Sequence, residues 1–313
     1  MAMTSPHDTA GQNVQASEHS HHSRGCETRL ERGGLPALHL SGAGHGAPVS
    51  LFIHGFGDGG YIWNEVAPSI AGHRRWIAPD LRGHGHSGWG VAGDYRVATY
   101  VDDLQDVMAQ VGATRWILIG HSMGAEIALA LASRSARTVA AVVLADFSPA
   151  ANTAIVARVR DNFREAVGRR FASKEVFRQH IEATLPLAAP TSIANIVEHA
   201  LLAAPGGGFM LMCDPGIAQG IGNLDPAAAD ARSARLWSEL RALPMPVLIA
   251  RGIGSAVLGE AVAVQMAREA LAHGTLTTLP VAGHAVMADN PAAFVGAVRR
   301  FLQGLGLIDD AVS

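Results

Sequence analysis

Six short, β-rich apolar runs recur along the chain, at Val49 to Ile53, Trp76 to Ala78, Trp116 to Ile119, Val139 to Ala145, Val247 to Ala250 and Leu276 to Val281, with helical patterns between them. Runs of this length without polar alternation suit strands covered on both faces, and strands separated by helices pair in parallel because each connection must cross back over the sheet. The pattern predicts an α/β fold with a mostly parallel central sheet and helices on both faces. Two of the helices are readable in detail. Tyr100, Leu104, Val107, Met108 and Val111 share one face of a helix predicted over 99–111, with Thr99 as its N-cap; Phe294, Val298, Phe301 and Leu302 line another over 292–303, begun by Asn290 and Pro291.

The alternation stops between about 149 and 243. Ala-rich helical segments there are broken by Pro186, Pro190, Pro205 and the run Gly206 to Gly208, and no strand sequence is evident. The parallel pattern resumes at Pro246 without a new linker, which favours a helical lid inserted between two strands of one sheet over an independent domain. The expected division is a polar, disordered, His-containing tail over 1–27, a core over 28–148 and 244–305, a lid (cap) over 149–243, and a second tail over 306–313.

Composition narrows the function. With 49% hydrophobic and 16% charged residues in 313, the chain is neither disordered nor a coiled coil. A net charge of −3 provides no basic field for nucleic acid, so a small-molecule substrate is the expected partner. Cys26 and Cys213 are too few for a disulfide scaffold or a cysteine-based metal site, and fit a reduced, cytoplasmic setting. No apolar run approaches the roughly 20 residues of a membrane span, and residues 1–25 lack the apolar stretch of a signal peptide. His19, His21 and His22 in that segment are a candidate for metal capture, but ordering a floppy segment costs entropy and the solvated alternative is preferred. No cofactor and no metal are expected; a homodimer is compatible with the apolar surface, but nothing specifies one.

The chemistry begins at Gly120, His121, Ser122, Met123 and Gly124, directly after the run Trp116 to Ile119 and directly before the helical run Ala125 to Ala132. A GxSxG between strand and helix is a nucleophile elbow: the glycines permit a tight turn that lifts the Ser122 hydroxyl above the sheet, at the positive end of the next helix. A serine hydroxyl needs a base to take its proton. His284, after the last strand and before the final helix with Gly283 letting the backbone turn, is the candidate.

Four segments, His54 to Gly60 (HGFGDGG), Asp80 to Ser87 (DLRGHGHS), GHSMG at 120–124 and GHAVMADNP at 283–291, together resemble the α/β-hydrolase superfamily, serine-nucleophile branch, esterase- or lactonase-like, over about residues 28–304. The resemblance implies an α/β-hydrolase fold and an oxyanion hole made by the amides of Phe56 and Met123. It also implies a bracing role at the sheet edge for Asp80, Arg82, His84 and Ser87. Asp214, Pro215, Gly216 and Ile217 resemble a short lid motif of the same relatives.

The acid departs from the pattern. Relatives with a segment like Arg251 to Leu258 carry an aspartate where this chain has Ala256, and no carboxylate occurs from Pro244 to Gly259, with Glu260 opening the next helix. Some relatives place the acid after the preceding strand, where this chain has Asp146, 24 residues beyond Ser122. The reading adopted is Ser122, His284 and Asp146 as catalytic residues. A dyad aided by water or backbone, and another carboxylate such as Glu126, remain alternatives, as does a purely structural Asp146 at the entry to the lid. The reaction expected is hydrolysis of a carboxylic ester or lactone of a small, largely apolar substrate through an acyl-enzyme, with C–C cleavage less favoured. Phe163, Phe171, Phe177, Phe209, Met210 and Met212 would line an apolar pocket or form the lid's own core. A ligand-binding member with slow turnover, or a non-hydrolytic biosynthetic enzyme acting on a polyketide-type substrate, are the readings from other classes.

Overall fold

The computed structural model describes residues 26–90, 94–150, 153–220 and 226–309. The tail and metal-capture readings of residues 1–25 lie outside the described residues. Eight strands form one sheet: β1 (Cys26–Arg32), β2 (Leu35–Ala43), β3 (His45–Ile53), β4 (Arg74–Pro79), β5 (Trp116–His121), β6 (Val139–Ala145) and, after a hairpin of β7 (Leu201–Ala203) and β8 (Phe209–Leu211), β9 (Val247–Gly252) and β10 (Gly274–Leu279). Their order is β1-β2-β4-β3-β5-β6-β9-β10, with β1, β2 and β4 pairing antiparallel and every later pair parallel.

Helices cover both faces. On one side α2 (Val97–Val111), α3 (Met123–Arg134), α8 (Pro226–Ala242) and α9 (Glu260–Gln265) bury Leu104, Leu118, Ile127, Leu131, Leu144 and Leu236 in one core. On the other, α1 (Ala67–Ala71), α10 (Val286–Asp289) and α11 (Pro291–Gly304) cover Phe52, Trp63, Ile119, Val143, Phe294 and Leu302. The central strands β5 and β6 contribute alternate side chains to both cores, which is why their sequences read as unbroken apolar runs. Asn290 caps α11, accepting a hydrogen bond from the Ala293 amide at 3.1 Å. At α2 the sequence expectation shifts: the N-cap is Arg96, and Thr99 lies inside the helix with its hydroxyl donating to Asp94 at 3.0 Å.

The segment between β6 and β9 holds α4 (Thr153–Val167), α5 (Lys174–Thr184), α6 (Pro190–His199), α7 (Ile217–Gly220) and α8, together with the hairpin. Three expectations change here and at the ends. First, the segment is not free of strands: Gly206, Gly207 and Gly208 all take positive φ and turn the chain between β7 and β8. Second, α8 packs on the core, because Leu236 and Leu240 join the α3 side of the sheet. Third, Cys26 and Glu27 are part of β1, and Leu307 and Ile308 are buried against α11, so neither residue pair behaves as tail. Within the insertion, Phe171 and Phe177 stack edge to face at 4.9 Å and bury against Ile193, Ile196 and Val197, forming a core of its own. Among the described residues no helix is long and apolar enough to cross a membrane.

Candidate active site

The carboxyl ends of β3, β5, β6 and β9 lie side by side, since Ile53 pairs with Gly120, His121 with Ala145, and Ala145 with Ala250. The residue after each strand therefore meets its neighbours in the crevice where open α/β sheets hold their ligands. Ser122 follows β5 with φ 53 and ψ −117, a conformation side chains rarely adopt, and starts α3 directly behind it. Its amide donates to Ala145 O at 3.0 Å. The turn tolerates no side chain at its two glycines. A Cβ on Gly120 would stand 2.2 Å from Gly124 O, and one on Gly124 would stand 2.2 Å from Ile53 O.

His284 arrives in the loop after β10. Two contacts hold that loop: Gly283 N–H donates to Asp289 Oδ2 at 2.7 Å, and His121 Nε2 donates to the carbonyl of His284 at 2.9 Å. A carbonyl only accepts, so His121 carries its proton on Nε2. Burial pushes its pKa down to about 3, so the ring is neutral. The imidazole of His284 then bridges the site, with Nε2 3.1 Å from Ser122 Oγ and Nδ1 2.8 Å from Asp146 Oδ2. An ionised Asp146 accepts from Nδ1–H, which leaves Nε2 as the acceptor for the serine proton.

Asp146 follows β6, also at positive φ, and is fully buried. Its carboxylate takes three donors: His284, the Gly252 amide at 3.2 Å and the Ser255 hydroxyl at 2.5 Å. Ser255 Oγ itself accepts from the amides of Val257 and Leu258 at 3.1 and 3.0 Å, which orients its only proton toward Asp146. Ala256, the position the family resemblance singled out, is exposed; its neighbour Ser255 is the residue that reaches the acid. Glu126 is not available to His284, because it is buried and held by Arg232 and by Arg235 at 2.7 Å, both on α8. Glu260 is exposed at the start of α9. The structure therefore brings Ser122, His284 and Asp146 together and leaves Glu126, Ala256 and Glu260 out. Ser255, His121 and Asp289 were not singled out in the sequence. Ser255 had a signal: a hydroxyl in the segment where relatives carry an acid.

The two amides named for the oxyanion hole, Phe56 after β3 and Met123 after Ser122, follow adjacent strands β3 and β5. Among the described residues neither Phe56 N–H nor Met123 N–H has a hydrogen-bond partner. The loop carrying Phe56 is fixed from below by two buried histidines. His54 Nδ1 donates to Gly55 O at 2.8 Å and its Nε2 accepts from Leu81 N at 2.9 Å. His84 Nδ1 donates to Arg82 O at 3.1 Å and its Nε2 accepts from Gly57 N at 3.2 Å. Burial lowers the pKa of both, which keeps the accepting nitrogens free of protons. Asp80 accepts from Gly60 N at 2.7 Å and His86 N at 2.9 Å, and Ser87 donates to Asp80 O at 2.6 Å, so the 80–87 segment braces this loop as well as the sheet edge. From the insertion, Phe163 of α4 packs edge to face on Phe56 at 4.6 Å. Asp214 accepts from the Tyr95 hydroxyl, and its amide donates to Gly83 O at 2.8 Å, which ties the insertion to the same bracing segment. Among the described residues no group of three or more His, Cys, Asp or Glu is placed to hold a metal ion.

Comparison with known proteins agrees with this architecture. The family model for the alpha/beta hydrolase fold matches residues 48–181. The esterase Rv0045c of Mycobacterium tuberculosis is 26% identical over 278 residues, covering 88% of this chain and 88% of that protein. A 3-hydroxybutyrate-oligomer hydrolase of Cupriavidus necator is 29% identical over 250 residues, covering 78% of this chain and 85% of the relative. Among solved structures, E-2-(acetamidomethylene)succinate hydrolase superposes with a TM-score of 0.79 at 22% identity, over 90% of this chain and all of that one, a likeness of fold. Sheet order, elbow geometry and these relatives lead to one conclusion: the chain has the α/β-hydrolase fold.

Proposed function

We propose that this protein is a serine hydrolase that cleaves a carboxylic ester or lactone of a small, largely apolar substrate through an acyl-enzyme. The observation that carries the reading is the continuous path from Ser122 Oγ through His284 to the buried Asp146, at 3.1 and 2.8 Å, ending at a serine raised on a strained turn. In this mechanism Ser122 attacks the carbonyl carbon while Nε2 of His284 takes its proton. Asp146 stabilises the imidazolium and keeps the ring in the working tautomer. The amides of Phe56 and Met123 donate to the oxyanion of the tetrahedral intermediate. His284 returns the proton to the leaving alcohol, and a water activated by the same ring releases the acid. The esterase and oligo-ester hydrolase among the relatives support ester hydrolysis over C–C cleavage. The insertion would serve as a lid on the acyl side, since Phe163 rests on Phe56. The free thiols Cys26 and Cys213 fit a reduced, cytoplasmic setting, which belongs to the same proposal.

A fluorophosphonate is expected to attach at Ser122, located by peptide mass spectrometry, and p-nitrophenyl esters to be turned over steadily. Ser122→Ala should lose both. Labelling elsewhere, or labelling without turnover, would sink the hydrolase reading and favour a binding protein.

The Ser255 hydroxyl acts through Asp146 and is a positioning residue in this scheme. A hydrogen bond to a charged group contributes about 1.5–3 kcal/mol, so Ser255→Ala should lower kcat at least about tenfold with KM nearly unchanged. Ser255→Thr should recover most of the loss, as measured by steady-state ester hydrolysis. A change in KM alone would assign Ser255 to substrate binding.

A further inference from the structure

We propose that Asp58 forms a subsite for a hydrogen-bond-donating group, a hydroxyl or an ammonium, carried by the alcohol portion of the substrate; this rests on the ester-hydrolase reading above. Asp58 is the aspartate of HGFGDGG, two residues beyond the oxyanion residue Phe56. Its amide donates to Gly55 O at 3.4 Å, closing a turn that folds the carboxyl back over Gly55. The point where a Cβ on Gly55 would stand is 3.2 Å from Asp58 Oδ2 and 2.9 Å from His121 Nδ1, so the carboxyl and that imidazole converge on the same small space. The His121 ring in turn lies 4.7 Å from the ring of His284. Asp58 therefore belongs to the wall around the imidazole.

Its hydrogen bonding sets it apart. The other carboxylates buried near the site are each satisfied: Asp80 by Gly60, His86 and His39, Asp146 by His284, Gly252 and Ser255. The Asp58 carboxyl has no partner among the described residues, although the residue is mostly buried, and neither of its oxygens is sealed from solvent. Burial pushes its pKa up to about 6, against the opposing charge of His284. A carboxyl removed from bulk water without donors is costly, and a ligand that brings a donor relieves that cost. The side of the ester follows from the mechanism. His284 hands its proton to the leaving oxygen, so groups facing the imidazole lie against the leaving alcohol. The same negative charge would repel an anionic substituent there.

The test compares matched esters within one enzyme: ethyl butyrate with 2-hydroxyethyl butyrate, and propyl butyrate with glyceryl monobutyrate. For the natural sequence, kcat/KM should favour the hydroxylated member of each pair by about tenfold, the size expected of a hydrogen bond to a charged acceptor. In Asp58→Ala this ratio should fall to about one, and in Asp58→Asn, which keeps the shape of the side chain, it should fall in between. Because each ratio is taken within one enzyme, a loss of folded protein cancels. No preference in the natural sequence, or an unchanged preference in both variants, overturns the subsite while leaving ester hydrolysis intact. Failure of every ester, with no phosphonate labelling of Ser122, overturns the hydrolase reading and the subsite with it.

Discussion

Under the proposed mechanism Asp146→Ala should lower kcat by roughly 10⁴-fold in steady-state ester hydrolysis, with a much smaller change in KM. Loss of the triad acid costs about that much in well-studied serine hydrolases, because the imidazole then samples the wrong tautomer and its positive form goes unsupported. Asp146 is the carboxylate that hydrogen-bonds His284 among the described residues. Glu126 is committed to Arg232 and Arg235, and Glu260 is exposed at the start of a separate helix. Asp146→Asn keeps the volume but offers a donor where an acceptor is required, and it should fall nearly as far. Near-normal kinetics in either variant would mean that His284 works as a dyad with Ser122, its Nδ1 proton held by backbone or water. Circular dichroism on the same samples guards against misfolding, since Asp146 also fastens the ends of β6 and β9 through Gly252.

Much of the geometry of this candidate site is legible in the sequence. The elbow could be read because two requirements coincide in sequence: an apolar run that must be a strand, and glycines where the backbone passes within 2.2 Å of another carbonyl. His284 was legible from its place after the last strand. The acid was harder, since an aspartate at the end of a strand is common and only a fold can say whether its carboxylate turns toward the histidine. Ser255 illustrates the limit: the segment is legible, but only the fold shows that Ser255, next to Ala256, is the side chain that reaches Asp146.

The strands divide the same way. Those buried on both faces, such as β5 and β6, announce themselves by unbroken apolar sequence. The edge strand β1 is not legible as a strand because Cys26 to Arg29 and Glu31 are all exposed and only Leu30 is buried, so no apolar run forms. The β7–β8 hairpin was missed for another reason. Its strands are three residues each, too short for any period to register, and its three glycines read as a break when they are the turn itself.

The largest loss of stability is expected at Asp103, a residue that motif reading passed over. It lies on α2, fully buried, and receives two guanidinium groups: Arg82 through Nε at 2.6 Å and Nη2 at 2.5 Å, and Arg32 through Nη1 at 2.5 Å. Arg32 ends β1 and Arg82 belongs to the bracing segment, so one carboxylate pins the sheet edge and that segment to a helix. Removing one partner of a buried ion pair leaves charge stranded away from water, at a cost of about 3–5 kcal/mol. For a chain of this size Asp103→Ala should lower Tm by on the order of 10 °C in thermal denaturation. Asp106 is the control, since it also pairs with Arg32 but is 53% exposed, and exposed pairs contribute at most about 1 kcal/mol. Equal Tm values for Asp103→Ala and Asp106→Ala would show that the cluster is solvated and contributes little. Activity should follow stability only at Asp103, because Arg82 and His84 occupy the same segment and the His84 ring holds the Gly57 amide beside Phe56. The loop proposed to carry the oxyanion amide of Phe56 is thus tied to Asp103 through Arg82, and its failure should appear as reduced kcat below the melting transition.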